Sequence, residues 1–208
     1  MNILFLGPPG SGKGTQAKKL SEKLEYYYLS TGQMFRSMKK QRPELAEYLD
    51  KGLLIPDDIV VKTLKEYLDK KNKYNEIILD GTPRSIYQFK KLQEWLESKG
   101  SGFKHAVFID ISQDEATKRL TARRTHKVTG EVYNLITNPP GPEVSHNDLY
   151  QREDDEPEVI KKRFEEYRED TEPLVDYLDS LGILIKVNGE RPIKEILDDI
   201  SARLKSNK

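Results

Sequence analysis

Gly7-Pro8-Pro9-Gly10-Ser11-Gly12-Lys13-Gly14-Thr15 is the stretch of this sequence whose residue types and spacing are best suited to chemistry. Its glycines let backbone N–H groups converge on an anion without Cβ obstruction, and a helix that follows adds partial positive charge. Lys13 would reach terminal phosphates as a point charge. The general motif wants a hydroxyl directly after the lysine; here Gly14 intervenes and Thr15 supplies it. Ile3 to Leu6, just before the loop, reads as a buried strand, and Ala17, Leu20 and Leu24 behind it recur at helical spacing. Strand, glycine turn and helix form the context a phosphate loop requires. Gly10, Ser11, Gly12, Lys13, Gly14 and Thr15 are therefore expected to bind a nucleoside triphosphate.

The elements that must hold this loop alternate in type. Val60, Val61, Leu64 and Leu68 mark a helix, with Asp57 after Pro56 as its expected N-cap. Ile77-Ile78-Leu79 is a second buried strand ending in Asp80-Gly81, and Phe89, Leu92 and Leu96 follow on a helix. Ala106 to Ile111 is a third strand. Ser112 and Glu115 then form a capping box for the helix of Ala116 and Leu120. A long helix is expected from Pro157 to about Leu181; Asp154 or Asp155 either steers Arg152 or caps that helix, the spacing favouring Asp155 as the cap. A strand follows over Ile183 to Val187. Pro192 starts a last helix on Ile196, Leu197, Ile200 and Leu204. Such alternation indicates an α/β fold, a doubly wound parallel sheet of about five strands covered on both faces. Two stretches interrupt it, a helical one around residues 30–59 and a polar, turn-rich one around 125–152. Both read as flaps on a rigid core.

Several motifs in the same order resemble the adenylate kinases, within the nucleoside monophosphate kinases. The loop continues through Gln16 and Ala17 as the family's does. Ser30-Thr31-Gly32 with Arg36, Gly52-Leu53-Leu54-Ile55-Pro56-Asp57, and Asp80-Gly81-Thr82-Pro83-Arg84 with Gln88 resemble its next three motifs. Arg119 and Arg123-Arg124 resemble the entrance to its lid, and Arg152-Glu153-Asp154-Asp155 with Arg163 the exit. The resemblance covers nearly the whole chain. It implies a core of residues 1–29, 60–122 and 160–208, a monophosphate-binding insertion over 30–59, and a lid over 123–159.

It also implies roles. Lys13, Arg84, Arg119, Arg123, Arg152 and Arg163 are the expected catalytic residues. Val132 and Tyr133 join the loop, Arg119 and Arg123 on the ATP side. Thr31, Arg36, Leu53, Leu54, Ile55, Gly81, Arg84, Gln88, Arg152 and Arg163 would bind AMP. Moving a phosphoryl group gathers negative charge in one cleft, and the planar, permanently charged arginine fork suits that charge. Arg119 and Arg123 are four apart and so expected on one helix face. Arg84 follows a strand end, where ligands lie in open α/β sheets. Arg42, Arg168, Arg191 and Arg203 keep the reading of surface salt bridges. Magnesium would arrive with ATP, with Asp80 and Thr15 near its waters.

Two departures bear on the acceptor. Gln33 stands where the family has aspartate, and Thr82 where it has an aromatic. They leave a kinase preferring CMP or UMP as the alternative to AMP, though Thr31 favours AMP. Glu131 stands where many relatives carry arginine. His126, Thr129 and Asn147 or Asp148 are candidates for a polar network in the lid, which lacks the cysteines some relatives use for zinc. A different class, a slow P-loop switch, would not need arginines in duplicate around two sites.

Composition narrows the field further. Lysine and arginine total 35, as do aspartate and glutamate, so the net charge is zero and a broad polyanion footprint is disfavoured. A nucleic-acid-dependent ATPase also lacks its strand-borne Asp-Glu pair here. There is no cysteine, hence no disulfide or cysteine-ligated zinc. No apolar run approaches the ~18 residues of a membrane span, and a charged signal-peptide start is missing. The expectation is a soluble, cytoplasmic monomer acting on ATP and AMP, without nucleic acid or membrane partners. Of 11 arginines, six fall in motifs expected to face phosphates.

Overall fold

A computed structural model describes residues 1–39, 42–43, 45, 48–49, 53 and 55–206. β1 (Asn2–Leu6) lies at the centre of a five-stranded parallel sheet with β2 (Tyr27–Ser30), β3 (Ile77–Asp80), β4 (Phe103–Asp110) and β8 (Leu184–Asn188), in the order β2-β3-β1-β4-β8. The expected α/β class and strand number are thus present. Strand periodicity divides the apolar side chains between two faces. Ile3 and Phe5 pack with Ile78, Val107 and Ile185 against α1 (Lys13–Leu24) and α8 (Ile193–Ser206). Leu4 and Leu6 pack with Leu79 and Ala106 against α3 (Asp57–Lys71), α4 (Ile86–Ser98) and α7 (Glu172–Ser180). Side chains buried as deeply as Ile3, Leu4 and Ile78 each contribute about 1.5–3 kcal/mol. A sheet so covered makes a stiff platform for whatever sits at its edge.

β2 is the strand that no apolar run announces. It reads Tyr27-Tyr28-Leu29-Ser30 and holds the sheet edge, where only Leu29 is deeply buried. Aromatic side chains favour such a half-covered pleat. Its C-terminal end runs directly into α2 (Thr31–Met38).

The helix expected from Pro157 to Leu181 is two helices, α6 (Pro157–Glu166) and α7, joined by a π-helical turn over Tyr167–Thr171. Pro173 in the first turn of α7 has no N–H to continue the α ladder, which accounts for the break. Asp57 does not cap α3: the cap position is Pro56, and no side chain bonds there. The Ser112 hydroxyl does accept from Glu115 N at the start of α5 (Gln113–Thr121), but the reciprocal half of the box comes from Glu190, which accepts from Ser112 N at 2.7 Å.

A second, antiparallel sheet, β6 (Val132–Asn134), β5 (Arg123–His126) and β7 (Leu149–Tyr150), rises beyond α5. Asn134 Nδ2 donates to the Arg119 carbonyl at 2.9 Å and Leu135 N to the Ala122 carbonyl, tying this sheet to the end of α5. Among the described residues, no helix is long and apolar enough to cross a membrane.

Candidate functional site

Where β1 ends, the chain turns through the glycine loop into α1. Gly10 has φ +83°, and a Cβ there would lie 2.6 Å from the Ala116 carbonyl, so the turn tolerates no side chain. The loop closes on itself through Ser11 N to the Pro8 carbonyl, at 3.1 Å, and Lys13 Nζ donates back to that carbonyl at 3.3 Å. The Ser11 hydroxyl is buried without a hydrogen-bond partner among the described residues.

This loop forms the floor of a cleft of ≈ 1240 Å³. The site lies outside the carboxyl ends of the strands, between the parallel neighbours β1 and β4, whose onward connections run to opposite sides of the sheet, as expected for an open α/β sheet. Gly10 to Thr15 line it with Arg119, Arg123, Val132 and Tyr133. So do Thr31, Arg36, Leu53, Ile55, Gly81, Arg84, Gln88, Arg152 and Arg163. Leu54 lies outside the described residues. Every other expected site residue meets in this one space.

How the cations are held follows from the elements that carry them. Arg119, in the last turn of α5, donates from Nε to Glu115 Oε1 at 2.8 Å and from Nη2 to the Gly189 carbonyl at 2.9 Å. Its Nη1 reaches the Ser11 carbonyl at 3.4 Å, which fixes the guanidinium against the loop. Arg123 is not on that helix face. α5 ends at Thr121, and Arg123 opens β5. There Arg123 and Thr125 share a strand face, and each anchors a different part of the cluster. Arg123 makes a bidentate pair with Asp155, Nε to Oδ2 at 2.7 Å and Nη2 to Oδ1. Thr125 Oγ1 accepts from Arg152 Nε at 2.9 Å.

Asp155 is fully buried and also meets Arg163 at 3.4 Å, while Asp154 Oδ2 stands 3.0 Å from Arg163. The carboxylate expected to cap α6 is therefore occupied by arginine, and the cap position falls to Glu156 without a side-chain bond. On the opposite wall, Arg84 Nε donates to the Gly81 carbonyl at 3.1 Å. Gln88 Oε1 accepts from Arg84 N at 2.8 Å, and its Nε2 donates to Asp57 Oδ1 at 2.7 Å.

So many cations in one cleft repel one another. Burial first, opposed by Asp80 and reinforced by Arg84, Arg163 and Arg123, brings the Lys13 ammonium down to about 8. Burial lowers Arg152 too, with Arg123 and Arg36 adding to it. Arg163, Arg84 and Arg36 are lowered chiefly by burial. Guanidinium keeps its proton even so, which makes the shift a measure of crowding. Burial would raise Asp154, but Arg163, Arg123, Arg152 and Arg36 outweigh it and hold that carboxyl below its usual value. A cleft charged in this way is built for phosphate groups.

Asp80, at the end of β3, lies over the start of α1: a Cβ on Gly14 would be 3.0 Å from its Oδ2. Tyr28 OH donates to the same oxygen at 3.2 Å. Asp80 and Thr15 both line the cleft and offer oxygen donors, the kind a hard divalent cation prefers. Among the described residues, no group of three or more His, Cys, Asp and Glu could hold a metal ion. His126 Nδ1 accepts from Val128 N and Thr129 N, and Thr129 Oγ1 from Glu131 N. Asn147 and Asp148 meet Lys127 through their carbonyls instead. Gln33 Nε2 donates across the cleft to the Gly130 carbonyl at 3.2 Å.

Tyr28, Asp57 and Thr125 were not among the expected site residues. Alternation along Arg123-Arg124-Thr125 was the signal for Thr125. Asp57 closes the motif that begins at Gly52, whereas nothing local marks Tyr28 as a site residue. Arg191 and Arg203 do share Asp199, and Arg168 bonds Gln113, as ordinary surface groups do. Arg191 also reaches the rim of the cleft.

The family model for adenylate kinase matches residues 5–183. The adenylate kinase of Archaeoglobus fulgidus is 40% identical, over 100% of both chains. That of Thermosipho africanus is 39% identical over 96% of this chain and 97% of its own, and that of Oceanobacillus iheyensis 38% over 98% and 99%. With the family model covering most of the chain and relatives at about 40% identity matched over their full length, this chain is an enzyme of the adenylate kinase family.

Proposed function

We propose that this enzyme transfers the terminal phosphoryl group of ATP to AMP, reversibly, giving two ADP. An oxygen of the AMP phosphate forms the new P–O bond as the bond to the ADP leaving oxygen breaks. The observation that carries the reading is the meeting of two cation sets in one cleft. Lys13 and Arg119 sit at the phosphate loop and Arg36 and Arg84 beside Thr31 and Gln88, all lining the same cleft. A hydrolase or a slow switch needs one such set; transfer between two nucleotides needs both. The transition state is loose, so the protein's work is positioning and charge stabilisation.

Magnesium carried by ATP would be held near Asp80 and Thr15 and would offset negative charge on the phosphates. Residues 30–59 act as the monophosphate-binding insertion and 123–159 as a lid, closing together so that water does not take the phosphoryl group. The Gln33 bond to Gly130 and the Lys18–Glu131 pair at 3.5 Å join the two sides of the cleft. The enzyme works as a cytoplasmic monomer on small-molecule substrates.

Lys13→Met tests the loop assignment. Phosphotransfer is expected to fall by at least ~10³-fold, the scale of charge-stabilising groups in this chemistry. Undiminished transfer by that protein sinks the assignment. Assaying the wild type with AMP, GMP, CMP and UMP decides the acceptor, and a preference for CMP or UMP replaces AMP.

A further inference from the structure

The acceptor end of the cleft contains a hydrogen-bond chain built on a departure from the family motif. Thr82, standing in the aromatic's place, is only 4% exposed. Its hydroxyl donates to Thr31 Oγ1 at 3.1 Å, and the Thr31 hydroxyl donates to the Asp80 carbonyl at 3.1 Å. A hydroxyl has one proton and two lone pairs. On Thr31 the proton is committed to Asp80 and one lone pair to Thr82. A single lone pair is left for a ligand, so Thr31 meets it as an acceptor only.

Gln88 lines the same cavity and is held in the opposite sense. With one Oε1 lone pair taken by Arg84 N and one Nε2 proton given to Asp57, it still has an N–H to offer beside the Thr31 lone pair. One free donor and one free acceptor complement a base edge that pairs a ring-nitrogen acceptor with an exocyclic amino donor. Adenine and cytosine carry that edge. Hypoxanthine and uracil present the reverse, a ring N–H and an exocyclic carbonyl.

We propose that Thr82 is a specificity-determining positioning residue. By holding the Thr31 hydroxyl as an acceptor, it makes the site select monophosphates with an exocyclic amino group over those with an exocyclic carbonyl. The inference deepens the acceptor reading above and rests on it for the role of Thr31. Loss of the Thr82 hydroxyl frees a lone pair on Thr31 and lets its proton turn toward a ligand carbonyl, so discrimination is lost. Sites that hydrogen-bond a substrate group reject analogues lacking it far better than apolar pockets reject a methylene.

The test compares two pairs that differ in this feature, AMP against IMP and CMP against UMP, for wild type, Thr82→Val and Thr82→Ser, with ATP as donor. Thr82→Val is expected to lower the AMP-to-IMP ratio of kcat/KM by about five- to tenfold, the scale of one hydrogen bond. The change should fall on KM for AMP and not on KM for ATP, and Thr82→Ser should restore it. An unchanged ratio, or KM values for AMP and ATP raised alike, overturns the inference. If thermal melting shows Thr82→Val unfolded, Thr82→Ala takes its place with the same outcomes. A wild type that prefers pyrimidines overturns the AMP reading alone; CMP against UMP then decides the role of Thr82.

Discussion

Lys13 gives the cleft a pH dependence close to neutrality. Its ammonium titrates near 8 because burial and the neighbouring guanidiniums of Arg84, Arg163 and Arg123 outweigh the pull of Asp80. Triphosphate binding favours the protonated form, so the free enzyme must take up a proton to bind when the pH exceeds that value. ATP affinity is expected to be flat below about 8 and to fall toward tenfold per pH unit above it. Titration calorimetry from pH 6.5 to 9.5, chosen to span that range, checks this. Lys13→Arg should flatten the profile, since guanidinium does not titrate there; a wild-type profile level through pH 9 contradicts the argument. Lys13 itself was legible from the sequence, because loop, strand and helix are contiguous. The neighbours that set its charge are not.

At the scale of elements, the short turn Glu153–Asp155 before α6 decides how the arginines stand. Asp155 joins β5, through Arg123, to α6, through Arg163, and is wholly buried. Asp155→Ala would leave the Arg123 guanidinium without its bidentate carboxylate, whereas Arg163 keeps Asp154, and removing one partner of a buried ion pair costs about 3–5 kcal/mol. A matching drop in unfolding free energy, read from denaturant midpoints, is the expected result. A loss under about 1 kcal/mol, the level of an exposed pair, would mean Arg123 is held by other means. Cap spacing pointed to Asp155 as the start of a helix, and that rule had no access to an arginine 32 positions away. The same blindness put Arg119 and Arg123 on one helix face. Spacing of four implies a shared face only while the helix continues, and α5 stops at Thr121.

Across the whole molecule, the second sheet and α2 meet over the cleft. Gln33, in the place of an aspartate, donates to the Gly130 carbonyl, while Lys18 and Glu131 form an exposed pair. If the two parts close over the cleft as proposed, a hydrogen bond between them shifts the closed-to-open ratio by its net worth, about fivefold for ~1 kcal/mol. Gln33→Ala is therefore expected to lower the closed-to-open ratio by that factor. Energy transfer between dyes on α2 and at Val128, an exposed position of the second sheet's turn, reports it. Lys18→Ala should do much less, because exposed ion pairs contribute little. Equal effects of the two substitutions would deny Gln33 its part in closure.

Taken by itself, the sequence determined what depends on neighbours along the chain. Apolar runs gave four of the five parallel strands, helical spacing gave the layers over them, and glycine, lysine and hydroxyl spacing gave the phosphate loop. β2 escaped because its tyrosines bury only partly at a sheet edge, and the π turn because Pro173 was read within one continuous helix. Tertiary structure alone decided which groups face each other. Arg123 with Asp155, Thr82 with Thr31 and Gln33 with Gly130 are separated by 32, 51 and 97 residues. Periodicity fixes the face a residue occupies on its own element. Parallel crossovers and the placement of the second sheet fix what stands opposite, and the polarity of a hydrogen-bond chain follows from those partners.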